Sequence, residues 1–150
     1  MRRIAIIAAA AAVLAATPAF AGEKTSDMTV QLQVLNNCTL SAPETLDFGS
    51  VTDIATASAS GTATVNCTLD ADYTLSIGGG ANYSGGSRHM LGNVTGDLVP
   101  YYITVDGGSD WVSGTGTGAG IGHALAGILT ATAAVKADNY EDLVVVSLTY

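Results

Sequence analysis

Apolar and polar residues alternate with a two-residue period in several short stretches of the chain. That period marks β-strands with one buried face. Near the start, Met28, Val30, Leu32 and Val34 alternate with Thr29, Gln31 and Gln33. Asn36-Asn37 then predicts a break, because Asn tolerates turn conformations, and the CTL run from Cys38 opens a second strand. LDFGSV, residues 46–51, reads as a short strand carrying Leu46 and Phe48 and ended by Gly49. GTATVNCTL, residues 61–69, sets Ala63, Val65, Cys67 and Leu69 on one face. YTLSI alternates Tyr73, Leu75 and Ile77, and PYYITVDG alternates Tyr101, Ile103 and Val105 before an Asp106-Gly107-Gly108 turn.

Two stretches are harder to read. IGGGANYSGGSRHM predicts a glycine-rich loop or loose hairpin. Across residues 114–137, Ile121, Leu125, Ile128 and Leu129 fit a helical stripe, but Gly127, Thr130 and Thr132 weaken a helix. A glycine-rich turn followed by a strand over 125–130 is the preferred reading. The last stretch, DLVVVSLTY at 142–150, is the most apolar. Val144, Val146, Leu148 and Tyr150 share one face, with Leu143 and Val145 on the other. Apolar character on both faces predicts a central strand. Short alternating runs between Gly, Asn and Asp clusters together predict an all-β chain, an antiparallel sandwich of about six strands.

The N-terminus alters where this protein must work. Arg2 and Arg3 precede an apolar run, Ile4 to Ala16, and an Ala19-Phe20-Ala21 cleavage site, so residues 1–21 read as a secretory signal peptide. The run of 13 residues is too short to span a bilayer, which takes roughly 20. Without the signal, 129 residues remain, enough for one domain with a core. The five basic residues fall to three against 13 acidic ones, a net charge of −10. So acidic a surface repels phosphate, and no nucleic-acid partner is expected. In an oxidising compartment Cys38 and Cys67 are expected to pair, closing a loop worth roughly 3–4 kcal/mol on the chain-entropy account.

Candidate chemistry is sparse. Gly114, Gly116 and Ala119 satisfy a relaxed dinucleotide fingerprint, but it needs a βαβ unit that this chain does not offer. His89 and His123 are single, lack partners at ligand spacing and read as loop residues, so no metal is expected. Asp70 with Asp72, and Glu141 with Asp142, read as solvated turn carboxylates. No G-x-S-x-G elbow occurs. Sequons at Asn37, Asn66, Asn82 and Asn93 matter only where exported proteins are glycosylated. No catalytic residue, cofactor site or enzyme activity is expected.

Four elements in order resemble a known family, the spore coat protein U type of pilin, the major subunits of archaic chaperone–usher pili. VQLQVLNNCTL is similar to its alternating N-terminal strand followed by a cysteine. LDFGSV resembles its L-x-F-G element, and ATVNCT its second cysteine. NYEDLVVVSLTY is similar to its ending, a Tyr-x-Asp followed by an alternating strand to a terminal aromatic. Residues 78–125 carry no part of the likeness. No extra N-terminal domain of a two-domain tip adhesin is visible, so a rod subunit is the better match.

The resemblance implies an incomplete immunoglobulin-like antiparallel sandwich, completed by donor-strand exchange. A periplasmic chaperone first lends the missing strand, and the leading strand of the next subunit replaces it at an outer-membrane usher. Identical or related pilin subunits would then join head to tail into a pilus on the cell surface. On this reading residues 22–35 are the donor strand and 36–150 the sandwich domain. Met28, Val30, Leu32 and Val34 match the donor plugs; Val144, Val146, Leu148 and Tyr150 match one wall of the acceptor groove. Periodicity leaves open which face of the last strand lines it, since Leu143 and Val145 are apolar too. Two other readings compete: a self-contained secreted sandwich binding a ligand such as carbohydrate through loop aromatics Tyr83, Tyr101, Tyr102 or Trp111, and a coat protein that uses the fold without a chaperone.

Overall fold

A computed structural model of the chain describes residues 21–131 and 134–150. The chain divides into two units, Met1–Gln33 and Val34–Tyr150. In the first, residues 1–20 of the expected signal peptide lie outside the described residues, and the remainder has no regular structure.

The second unit is an antiparallel β-sandwich. Among the described residues nine strands follow in order: β1 Cys38–Ser41, β2 Ser58–Cys67, β3 Asp72–Ile77, β4 Arg88–Gly92, β5 Leu98–Val105, β6 Trp111–Thr115, β7 Gly120–Leu129, β8 Tyr140–Glu141 and β9 Val146–Thr149. One sheet has six strands in the order β1-β2-β7-β5-β4-β8, the other three in the order β6-β3-β9. The alternating pattern decides which side chains lie between them. Ala63, Val65 and Cys67 of β2, Tyr73, Leu75 and Ile77 of β3, and Tyr101, Ile103 and Val105 of β5 are all buried in one core. No buried side-chain polar atom among the described residues lacks a partner, as a closed core requires.

Three expectations need correction. The 125–130 strand is longer, beginning at Gly120, and as β7 it is a central strand of the large sheet. Residues 46–51 form no strand. A three-stranded sheet cannot cover the inner face of a six-stranded one, and this coil lies on part of what is left. A Cβ on Gly127 would meet Phe48 and Leu46, and one on Gly61 would meet Pro43 and Leu46, so the two glycines make the depressions in which the coil rests. Leu69 continues the alternation of β2 on paper, but β2 ends at Cys67 and Leu69 is exposed. Asp70, at φ 61°, turns the chain there.

Polar side chains tie the layers together. Arg88 is buried; its guanidinium donates to the Ile77 and Gly78 carbonyls and to Asp110, at 2.7, 2.7 and 2.8 Å. Near the β4–β5 turn the Asp138 carboxylate accepts from Val94 N, Thr95 N and Thr95 Oγ1 at 2.8–2.9 Å. These bonds, led by the Thr95 and Val94 amides, pull its pKa down from 3.8 to about 2. Because the folded pKa is the lower one, the clasp is complete above pH 4 and is lost as pH falls toward 2. An NMR titration should give an Asp138 midpoint near 2 that moves the Val94 and Thr95 amide shifts with it. Asp138→Asn should remove that acid step.

Candidate functional site

Strand edges, rather than a cleft, carry the unsatisfied chemistry here. In the leading segment Thr and Val favour extended backbone, yet residues 21–37 belong to no strand of their own chain. Met28, Val30, Leu32 and Val34 are 73–88% exposed. Four alternating aliphatic side chains left in water are unusual, since each gains about 1.5–3 kcal/mol on burial.

At the other end, the C-terminal run does not form the single central strand expected from its two apolar faces. It splits: β8 pairs with β4 at the rim of the large sheet, residues 142–145 cross over, and β9 pairs with β3 in the small sheet. β9 is an edge strand. Val144, Val146 and Leu148 turn toward the core and are only partly buried. Leu143, Val145 and Tyr150 are 76%, 64% and 58% exposed. Tyr150, expected beside Val144, Val146 and Leu148, therefore does not share their partial burial. β1 is likewise an edge strand, in the large sheet, and its Leu40 is also half-covered.

β1 has only four residues and is held from one side. Its register with β2 puts Cys38 directly opposite Cys67, and the two form a disulfide with a Cα–Cα distance of 4.1 Å. Thr68 N donates to the Asn37 carbonyl at 3.0 Å and Asn37 N to Thr68 Oγ1 at 3.2 Å. The staple therefore fixes the point at which the leading segment joins the sandwich.

The crossing segment is fixed by the Asp142 carboxylate, which is not the solvated turn residue expected from its place beside Glu141. Asp142 accepts from Tyr101 Oη at 2.6 Å, from Asn82 N at 3.0 Å, from Asn82 Nδ2 at 3.1 Å and from Leu143 N at 3.0 Å. Burial, then the bond to Asp142, holds the Tyr101 phenol above its ordinary pKa, so it remains a donor. Gly78 N and Ala81 N donate to the Val145 and Leu143 carbonyls at 2.8 and 3.0 Å, extending the pairing beyond β9. The Tyr-x-Asp spacing was the one signal in the sequence that could have marked this knot.

The histidines are in strands, not loops: His89 in β4 and His123 in β7. His123 is buried, with Nδ1 2.7 Å from Asp106 Oδ2 and Nε2 2.8 Å from Tyr73 Oη. The Asp–His–Tyr line resembles a catalytic relay, but it spans the core between the sheets. Burial, then the Asp106 charge, raises the Tyr73 pKa, the opposite of an activated nucleophile. Its role is to satisfy a polar tie inside the sandwich. Among the described residues no three His, Cys, Asp or Glu side chains gather as a metal site. The aromatics proposed for a ligand site also fail to cluster on loops. Tyr101 is buried in β5, Tyr102 lies in the same strand and Trp111 opens β6.

Comparison with known proteins agrees with this architecture. Residues 24–147 match the Spore Coat Protein U domain. No curated protein matches the sequence. Among solved structures, the chain is similar to a chain in the crystal structure of the CsuC–CsuE chaperone–tip adhesion subunit pre-assembly complex from archaic chaperone–usher Csu pili of Acinetobacter baumannii. The TM-score is 0.59 at 19% identity, over 78% of this chain and 40% of that one. At that identity the likeness establishes a shared fold, and the protein spans well under half of the chain it matches.

Proposed function

The chain belongs to the spore coat protein U family, and from that we propose that it is a structural subunit of a chaperone–usher pilus, built by donor-strand complementation. The observation that carries this reading is a complementary mismatch. Met28, Val30, Leu32 and Val34 alternate but belong to no strand of their own chain. Meanwhile β9 and β1 each have one unpaired edge, with half-covered apolar side chains behind them. An uncovered edge of this kind is an aggregation hazard unless another strand pairs with it.

The donor strand is residues 22–35, and the sandwich domain is 36–150. The acceptor wall consists of Val144, Val146 and Leu148, whose partial burial favours the even-numbered face; Tyr150 closes its end. A periplasmic chaperone lends a strand first. At the outer-membrane usher, the leading segment of another subunit replaces it by β-strand addition. Such a head-to-tail contact does not close on itself, so it propagates as a filament outside the cell.

Expression separates this from a self-sufficient sandwich. The mature chain alone should aggregate, and co-expression with the cognate chaperone should keep it soluble. Deleting residues 22–35 should leave a chaperone-bound domain that cannot polymerise. A soluble, protease-resistant monomer from the intact mature chain would overturn the reading.

A further inference from the structure

We infer that Asp142 is a positioning residue for strand addition: its carboxylate locks the crossing between the sheets, so that β9 presents its free edge before a partner strand arrives. This rests on the pilus-subunit reading. The chain must leave the large sheet after Glu141 and be paired in the small one by Val146. A four-residue edge strand with a ladder on one side is among the least stable elements of a fold. Besides the Gly78 and Ala81 backbone bonds to that segment, its entry is steadied by one side chain binding three separate parts of the molecule: Tyr101 in β5, Asn82 in the loop after β3, and the backbone of its own segment at Leu143.

Each partner is itself constrained. Tyr101 is 5% exposed, and Phe48 packs edge-on to its ring at 6.4 Å, so the phenol is held in place. Gly80 has a φ of 88°, and a Cβ there would collide with the Asp142 carboxylate. The loop is therefore shaped to admit that group. None of the residues bonded to Asp142 is itself a wall residue, so loss of the clamp should loosen β9 while leaving the buried core intact.

Hydrogen exchange and peptide capture on the chaperone-bound mature chain test this, with Asp142→Asn and the milder Tyr101→Phe. The probe is a synthetic peptide of residues 25–36. In both variants the amides of residues 146–149 should exchange about tenfold faster, and the peptide should displace the chaperone about tenfold more slowly, the effect of losing one charge-assisted bond. Amides of β2 and β7 should keep their wild-type protection. Unchanged exchange at 146–149 with unchanged capture overturns the assignment. So does an equal rise across β2 and β7, which would make Asp142 a residue of general stability. A wild-type complex that never takes up the peptide would sink the pilus-subunit reading itself, and the assignment with it.

Discussion

Leu32→Asp is expected to abolish filament assembly while the chaperone-bound subunit is recovered at its normal yield. Leu32 is 88% exposed in its own chain, so the substitution costs the isolated subunit almost nothing; surface changes are usually within ±0.5 kcal/mol. The penalty falls on the assembled state. Burial of a leucine contributes about 1.5–3 kcal/mol, and an unpaired carboxylate taken out of water costs several kcal/mol more. A combined loss of about 5 kcal/mol weakens the subunit–subunit contact by more than about a thousandfold. Electron microscopy of filaments, with chaperone co-purification as the control, reads both halves of this result. Equal loss of polymer and chaperone complex would place the segment inside its own domain instead. Leu143→Asp makes the contrast, because that side chain is exposed on the other face of the C-terminal run.

Replacing Cys38 and Cys67 with serine should cost about 3–4 kcal/mol, the chain-entropy value for a loop of this size, where the separation is 29 residues. Compared in the same polymeric form, the urea midpoint should drop by roughly 1–3 M, for an m-value of about 1–3 kcal/mol/M. The damage should concentrate at β1. Among the described residues its only strand partner is β2, through four registered pairs, and serine at the buried Cys38 and Cys67 positions brings polar hydroxyls into the core. Because β1 is itself an edge strand, loss of the staple should also reduce filament yield beyond what the midpoint alone predicts. A midpoint within 0.5 M of wild type, an order-of-magnitude margin on the same m-values, would show that β1 docks without its covalent tie.

Much of the fold was legible because a two-residue period states which side of a strand is buried. Tyr73, Leu75 and Ile77, and Tyr101, Ile103 and Val105, lie where that period puts them. Cys38 and Cys67 were an inferable pair because only one pairing exists, and the register of β1 on β2 brings them opposite each other. The leading segment alternates as regularly as any strand in the sandwich, yet residues 21–37 form no strand in their own chain.

The period says nothing about which neighbour accepts the hydrogen bonds, and there the tertiary structure decided. LDFGSV has the side chains of a strand but pairs with no ladder, and it lies as coil on Gly61 and Gly127. The C-terminal run is apolar on both faces without being central, since β9 has a neighbour on one side alone. His123 became a core residue when β7 ran through the middle of the large sheet, within reach of Tyr73 from the other layer. Asp142 gained its role only when Tyr101, 41 positions away in sequence, was carried to within 2.6 Å. Residue order thus determined which faces are apolar, while chain packing alone determined which edges were left without a partner.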